Sequence, residues 1–104
     1  MHVGEVWAVD FPFEDDPTQS KVRPCVIMDV DKLEVLSIKV TTHEQRDDYD
    51  IPIFKWKEAN LIEPSYARVS KSMAIPKESF ISKYGMLNDT DFKNIIKAFI
   101  EYNS

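Results

Sequence analysis

The segment KVRPCVIM, residues 21–28, places two basic side chains before an apolar run and is typical of a strand that begins at a polar loop. A first strand is predicted before it, at Val3–Phe11, because every second side chain there is apolar except Glu5, which interrupts that face. The polar loop between the strands, residues 14–21, is longer than a simple hairpin needs, and such loops often carry function. Pro24 has no amide hydrogen to donate, so we expect the start of the second strand to lie at a sheet edge.

The rest of the chain predicts more strands and one helix. The predicted strands after the first are Val22–Val30, Leu33–Thr41, Tyr49–Phe54, Tyr66–Ser70 and Met73–Ile75, with one helical turn at Lys55–Asn60. Asn88–Tyr102 is predicted to be a helix with Asn88 as its N-cap, because Phe92, Ile95, Ile96, Phe99 and Ile100 form one apolar stripe. These elements predict a mainly β fold, a small half-open barrel of five or six strands plugged by a C-terminal amphipathic helix.

Length and composition predict a single domain over residues 1–104. The chain is 43% hydrophobic and 12% aromatic, enough for one core, which excludes disorder as its main state. No apolar run exceeds four residues, and residues 1–20 carry Asp and Glu where the apolar segment of a signal would lie, so we expect neither a membrane span nor a secretory signal. The lone cysteine, Cys25, excludes an internal disulfide and is expected to be a buried core residue rather than a reactive thiol. These features favour the cytoplasm.

Several polar residues near strand ends are candidates for chemistry. Arg23 precedes a proline, where a guanidinium either binds phosphate oxygens or pairs with acids of the 14–16 loop. Thr41 and Thr42 end the third predicted strand, and their hydroxyls either bind an anion or serve an ordinary turn. His43 lies in a charged loop, where it is either a general acid or base or a solvent-facing residue.

Other site chemistries find less support in the sequence. No histidine, cysteine or carboxylate spacing typical of a metal site occurs, and there is no glycine-rich phosphate loop, so we expect no metal or other cofactor. Tyr49, Trp56 and Tyr66 are able to stack on bases, but their strand spacing favours core packing.

The order of these motifs resembles the PemK/MazF family of toxins from type II toxin–antitoxin systems. The resemblance spans nearly the whole chain and rests on GEVWAVDF at residues 4–11, KVRPCVIM, IKVTT at residues 38–42, PSYARV at residues 64–69 and GMLND at residues 85–89. It implies an SH3-like barrel that forms a homodimer. It also implies a metal-independent endoribonuclease that cuts single-stranded RNA at short sequences and a cognate antitoxin that blocks the RNA groove.

The resemblance also implies site residues. The arginine of the family's Arg-Pro motif corresponds to Arg23, and the threonine that ends a following strand corresponds to Thr41. An arginine that many members carry after the fifth strand is missing, because matching lengths place Met73 there. Lys71 or Arg68 is then the nearby replacement, and His43 supplies a titratable group. The predicted catalytic residues are therefore Arg23, Thr41 and His43, and the predicted RNA-binding residues are Lys21, Lys39, Thr42, Arg46, Arg68 and Lys71.

Two other functions stay open on the sequence alone. One is a non-catalytic member of the same fold that binds RNA or protein, and the other is an SH3-like domain that binds peptides through exposed aromatic residues. The net charge of −5, from 13 basic and 18 acidic residues, argues against a broad nucleic-acid binder. Nine of the acids, however, lie in three clusters: Glu14, Asp15 and Asp16; Asp29, Asp31 and Glu34; and Asp47, Asp48 and Asp50. We therefore predict a local basic groove without acids that contacts few nucleotides.

Overall fold

A computed structural model describes residues 1–13 and 15–104, which form one six-stranded antiparallel sheet with a single C-terminal α-helix. The elements are β1 (Glu5–Pro12), β2 (Ser20–Val30), β3 (Glu34–Thr41), β4 (Asp50–Ile53), β5 (Ser65–Pro76), β6 (Phe80–Met86) and α1 (Asp89–Tyr102). The strand order is β4-β5-β3-β2-β1-β6, and β4 and β6 do not pair to close the sheet. The predicted mainly β, half-open barrel with a C-terminal helix is therefore confirmed.

Each face of the sheet carries its own hydrophobic cluster. Val26 and Ile38 lie on the face that α1 covers, and they share a buried cluster with Ile95 and Ala98 of the helix. The opposite face carries a smaller cluster made of Val9, Phe11, Cys25 and Ile75. Cys25 is fully buried there, as predicted. This division leaves the second face free of the helix, and the candidate site lies on it.

The helix begins as predicted. The Asn88 side chain accepts a hydrogen bond from the Thr90 amide at 2.9 Å and thereby caps α1. Asp91 is buried, and its carboxylate accepts hydrogen bonds from the amides of Phe54 and Lys55 at 3.1 and 2.8 Å, which fixes the helix to the end of β4. The predicted apolar stripe is too wide by one residue, because Ile100 is 61% exposed.

The prediction of two strands at Tyr66–Ser70 and Met73–Ile75 is wrong, because one strand, β5, spans both. Its pairing with β3 moves from Ile38↔Ser72 directly to Lys39↔Arg68, so residues 69–71 form a bulge without a partner on β3. Lys71 and Ser72 interrupt the apolar pattern at this bulge, which explains why the sequence suggests two strands. A bulge bends a strand and changes the direction of its side chains without ending it.

The sequence did not predict β6, because its side chains are mostly exposed and an edge strand needs no apolar face. The predicted helical turn at Lys55–Asn60 is a run of hydrogen-bonded turns rather than a helix. The Asn60 side chain donates a hydrogen bond to the Tyr84 carbonyl at 2.6 Å and so connects the segment after β4 to β6. A side-chain contact thus links the two ends of the sheet, which no backbone ladder joins.

Glu5, which interrupts the apolar pattern of β1, is buried with hydrogen-bonding partners. The Trp7 indole Nε1 and the His2 amide each donate to its Oε1 at 2.9 Å, and Lys83 Nζ lies 3.0 Å from its Oε2. These contacts join the N-terminal segment to β6. No helix among the described residues is long and apolar enough to cross a membrane.

Candidate active site

Two neighbouring cavities open on the part of the sheet where β2 separates from β3, and Arg23 lines both of them. The first has a volume of about 320 Å³ and the second a volume of about 180 Å³. Arg23 is half-buried and lies opposite Val9 of β1. It forms no ion pair with Asp15 or Asp16 within residues 1–13 and 15–104, and Glu14 lies outside the described residues.

Strand register explains why these residues meet. The pairing of β2 with β3 begins at Cys25↔Lys39, so the first residues of β2 have no ladder partner on their β3 side. The predicted edge position of Pro24 agrees with this register. Arg23 lies two residues before Cys25 on β2, and Thr41 lies two residues after Lys39 on β3. Because side chains alternate between the two faces of a sheet, Arg23 and Thr41 lie on the same face as Cys25 and Lys39. The space between the separating strands is the second cavity.

The second cavity brings together five of the predicted site residues: Lys21, Arg23, Thr41, Thr42 and His43. The Thr41 side chain is buried, and its Oγ1 accepts a hydrogen bond from the His43 amide at 3.2 Å. This contact fixes the backbone of His43 beside the cavity while the imidazole stays exposed. A hydroxyl that accepts one hydrogen bond still has its own hydrogen to donate.

The first cavity contains the other predicted cations that face the site. Lys39 from β3 and Lys71 from the β5 bulge line it together with Arg23. Aromatic and aliphatic walls come from Phe11, Phe13 and Met73. Asp15 also lines this cavity, so the prediction of a groove without acids is wrong. The Phe13 amide donates a hydrogen bond to the Gln19 carbonyl at 3.0 Å, which brings these two residues together.

Burial and two nearby cations act in opposite directions on the pKa of Cys25. Burial raises the pKa of the Cys25 thiol to about 12, and the positive charges of Arg23 and Lys39 oppose that rise only in part. The thiol is therefore neutral and is a poor nucleophile. The thiol therefore carries no negative charge that would neutralise Arg23 or Lys39.

Arg46 and Arg68, both predicted to bind RNA, line neither cavity. Arg68 is buried, and its Nε and Nη2 donate to the Asp50 carboxylate at 3.0 and 3.2 Å. Arg46 is half-exposed, and its Nε lies 3.8 Å from the same carboxylate. The structure thus assigns Arg68 to an internal ion pair, and Lys71 alone of the two candidate replacements faces the site.

The remaining candidates fall outside the site. Tyr49 and Trp56 pack against the larger core cluster, as their spacing predicted, and Tyr49 also makes an edge contact with Tyr102 at a centroid distance of 5.0 Å. Tyr66 is half-buried. Among residues 1–13 and 15–104, no three histidine, cysteine or carboxylate side chains come together as metal ligands would.

Comparison with known proteins identifies the family to which the chain belongs. A family model described as PemK-like, MazF-like toxin of type II toxin-antitoxin system matches residues 2–102. The chain belongs to this family. A search of curated proteins finds no match.

Solved structures support the fold of this member of the PemK/MazF-like family. A toxin described as MazF-mt6 from Mycobacterium tuberculosis superposes with a TM-score of 0.75 at 16% identity, covering 93% of each chain. An endoribonuclease in complex with its cognate antitoxin, from a mycobacterial species, superposes with a TM-score of 0.76 at 11% identity, covering 97% of this chain and 92% of that one. At these identities the likeness shows the fold.

Sequence reasoning missed the first cavity of this PemK/MazF-like protein. Its walls come from four separate parts of the chain, and the bulge that supplies Ser70 and Lys71 leaves no periodic signal. Phe13 lies in a loop, where an aromatic residue before charged neighbours gives no strand or helix pattern. The position of this aromatic residue in a loop, directly after Pro12, was the one sequence feature that pointed to the cavity.

Proposed function

We propose that this protein is the toxin of a type II toxin–antitoxin system and acts as a sequence-specific endoribonuclease on single-stranded RNA without a metal ion. The observation that carries the proposal is that Arg23, Thr41 and His43, the three residues predicted to be catalytic, line one cavity. Membership of the toxin family supports the same function.

The proposed chemistry is an internal transfer at phosphorus. The 2′-hydroxyl loses its proton, its oxygen attacks the adjacent phosphorus, and the bond from phosphorus to the 5′ oxygen breaks as that oxygen gains a proton. The products are a 2′,3′-cyclic phosphate and a 5′-hydroxyl. No bond to water forms in this step, so no external reactant is required.

Each residue has a role that its position allows. Arg23 is a fixed cation between the two cavities, and a fixed cation is most effective where negative charge develops in the transition state. Since guanidinium does not give up its proton near neutral pH, Arg23 stabilises charge and does not carry the proton. Thr41 donates its hydroxyl hydrogen to a phosphate oxygen. His43, held by the hydrogen bond from its backbone amide to Thr41 Oγ1, carries a proton to or from the reacting oxygens.

We also propose that the toxin forms a homodimer in the cytoplasm and is inhibited by a cognate antitoxin that covers the RNA groove. The second structural neighbour is described as an endoribonuclease in complex with its cognate antitoxin, which supports a partner of this kind. Basic cavities on an acidic molecule can be closed by a partner whose acidic side chains lie locally against them.

The chemistry is tested on purified protein with end-labelled single-stranded RNA in the presence of EDTA. We expect discrete fragments that carry 2′,3′-cyclic phosphate and 5′-hydroxyl ends. RNA that is bound but stays intact would instead support a non-catalytic binding protein of the same fold. Fragments that appear only after Mg²⁺ is added would overturn the metal-independent mechanism.

The biological role is tested by inducing expression of this protein in bacteria, with and without the gene that lies next to its own, which is the candidate antitoxin gene. We expect growth arrest from the toxin alone and growth when the neighbour is expressed with it. Unimpaired growth of cells that accumulate folded toxin would contradict the proposed role.

A further inference from the structure

The 42–49 loop, which carries Thr42 and His43 to the second cavity, is exposed over most of its length. Residues 42–48 are all exposed, and Tyr49 at the end of the loop is half-buried. The loop connects β3 and β4, which pair with β5 from opposite sides. Because a segment with few buried apolar contacts opens easily, the polar contacts of this loop decide where Thr42 and His43 lie.

The polar contacts at the β4 end of the loop converge on Asp50, the first residue of that strand. Its Oδ2 accepts a hydrogen bond from the Arg46 amide at 2.8 Å, and its carbonyl accepts one from Gln45 Nε2 at 2.9 Å. At the β3 end the His43 amide donates to Thr41 Oγ1 at 3.2 Å. The loop is thus held at both ends, by Thr41 on the β3 side and by Asp50 on the β4 side.

Arg68 fixes the orientation of the Asp50 carboxylate. It lies on β5, where its two partners are Lys39 of β3 and Asp50 of β4. Its Nε donates to Asp50 Oδ1 at 3.0 Å and its Nη2 donates to Oδ2 at 3.2 Å, and both residues are buried. A guanidinium bonded to both oxygens of a carboxylate imposes one geometry on it. Asp50 Oδ2 therefore stays directed at the Arg46 amide.

Stability alone gives no reason for charges at this place. A buried ion pair is often no more stabilising than apolar side chains of similar volume. Apolar side chains at positions 50 and 68 would fill the space, but they would offer the Arg46 amide no acceptor. The contact with the loop is therefore what the ion pair provides and apolar packing would not.

Resting on the proposed function, we propose that Asp50 and Arg68 are positioning residues of the cleavage reaction. The buried pair holds the 42–49 loop so that Thr42 and His43 stay at the second cavity. Arg68 thus serves the reaction through Asp50 and the loop, and not through a contact with RNA.

The expected kinetic effect of the pair is on turnover rather than on RNA binding. Lys21, Lys39 and Lys71, three of the predicted RNA contacts, lie on strands β2, β3 and β5. Misplacing a reacting group by about 1 Å lowers a rate by up to roughly 100-fold. We therefore expect a loosened loop to lower kcat by about 10- to 100-fold and to leave KM for RNA within about twofold of the parent value.

The first test is the double variant Asp50→Leu with Arg68→Met, which replaces the ion pair by apolar side chains of similar volume. Removing both charges together is often neutral for stability or even stabilising, while the loop loses the carboxylate acceptor. We expect a low kcat on labelled single-stranded RNA even where urea unfolding shows parental stability. A folded double variant with the kcat of the parent would overturn the positioning role.

Gln45→Met tests the loop contact from the exposed side and leaves the buried pair intact. It removes the hydrogen bond to the Asp50 carbonyl. We expect kcat to fall about 2- to 12-fold, the factor that one hydrogen bond contributes to an equilibrium, at unchanged stability to urea. Asn94→Leu, a matched loss of a side-chain amide at an exposed position of α1, is the control. Parental kcat in Gln45→Met would show that cleavage does not need this contact and would overturn the proposal.

Hydrogen exchange of backbone amides reports on the loop without RNA. In the double variant we expect the Arg46 and His43 amides to exchange faster than in the parent, while the amides of β1 and β2 keep their protection. Equal exchange of the loop amides in the two proteins would overturn the positioning role.

The two kinds of measurement separate this inference from the proposed function. A parent protein that cuts no RNA would overturn the ribonuclease, and amide exchange would then decide by itself whether the pair holds the loop. A parent that cuts RNA beside a double variant with the same kcat would retain the ribonuclease and overturn the positioning role.

Discussion

At the scale of one residue, Asp50 shows how the fold stabilises a buried negative charge. Its carboxylate accepts hydrogen bonds from Arg68 Nε and Nη2 and from the Arg46 amide at 3.0, 3.2 and 2.8 Å. Burial by itself favours the neutral acid, but these hydrogen bonds and the two arginine charges outweigh it and hold the pKa of Asp50 below its usual value. The Asp50 carbonyl also accepts from the Gln45 side chain at 2.9 Å, so the 42–49 loop that carries His43 is tied to this ion pair.

Removing Arg68 is expected to leave the buried Asp50 carboxylate without its main partner. We expect Arg68→Met to lower the free energy of unfolding by about 3–5 kcal/mol, the usual cost of breaking a buried ion pair. Arg46→Met, the same change at a half-exposed side chain, is expected to cost only about 0–1 kcal/mol. Urea unfolding of both variants checks this, and equal losses would contradict the structural role of Arg68.

The buried carboxylate of Glu5 is expected to make the free energy of unfolding depend on pH in the acid range. Burial raises its pKa, but hydrogen bonds from Trp7 and His2 and the contact with Lys83 outweigh this and lower the pKa from 4.5 to about 2. The unfolded chain therefore binds the proton more readily, and the stability that Glu5 contributes is present above pH 4.5 and lost as the pH falls to about 2. The shift corresponds to about 3 kcal/mol.

The test compares the parent with Glu5→Gln by urea unfolding between pH 2 and pH 7. We expect the difference in unfolding free energy to be largest above pH 4.5 and to shrink toward pH 2. Glu101→Gln, the same substitution at an exposed position of α1, is measured beside it as the control. A constant difference across the range for Glu5→Gln would contradict the account of Glu5.

At the scale of elements, the contact between the turns after β4 and strand β6 holds the open barrel together. Gly85 lies against this contact: a Cβ there would be 2.9 Å from the carbonyl carbon and oxygen of Ala59 and from the side-chain Nδ2 of Asn60. Asn60 itself has a φ of 60°, which asparagine tolerates better than most residues. The close approach therefore depends on Gly85 having no side chain.

We expect Gly85→Ala to lower the free energy of unfolding by about 1–3 kcal/mol, the cost of forcing an extra carbon into packed structure. Without a steric obstacle the same change is commonly stabilising, because it restricts the unfolded chain, so the sign of the effect is decisive. Ser82→Ala, on the exposed face of β6, serves as the control. A stabilising Gly85→Ala in thermal or urea unfolding would contradict the close contact.

The elements also show how far sequence patterns reach. Strands β1 to β3 and helix α1 were predicted to within a few residues, because each has a regular apolar period and clear ends such as Pro12 and the Asn88 cap. The continuous β5 and the edge strand β6 were not, because a bulge breaks the period and an exposed edge has none. Arg23 and Thr41 were predicted through the resemblance, and His43 was predicted from its titratable side chain. The partner of Arg68 was missed because Asp50 lies 18 residues away and no local pattern links them.

At the scale of the whole molecule, the net charge of −5 coexists with cavities lined by Lys21, Arg23, Lys39 and Lys71. Asp15 at the first cavity reduces the local positive charge. A protein of this kind is attracted to a few phosphates and repelled by longer tracts of nucleic acid. This distribution suits a protein that reads a short single-stranded segment.

The affinity for single-stranded RNA is therefore expected to depend weakly on salt. Because each phosphate contact contributes about 0.7 to the slope of log affinity against log salt, we expect a slope shallower than about −5 for a 2′-O-methyl RNA that resists cleavage. Fluorescence anisotropy at several salt concentrations measures it. A slope steeper than about −5 would indicate contact with many phosphates and would contradict this account.

The most direct test of the central claim is the cleavage rate of Arg23→Ala on single-stranded RNA, measured beside Lys93→Ala, a control at an exposed position of α1. Losing a group that stabilises transition-state charge typically lowers the rate by about 100- to 1,000-fold, so we expect a loss of that size for Arg23→Ala and none for Lys93→Ala. Circular dichroism confirms that both variants are folded. A folded Arg23→Ala that cleaves RNA at the parent rate would contradict the site proposed here.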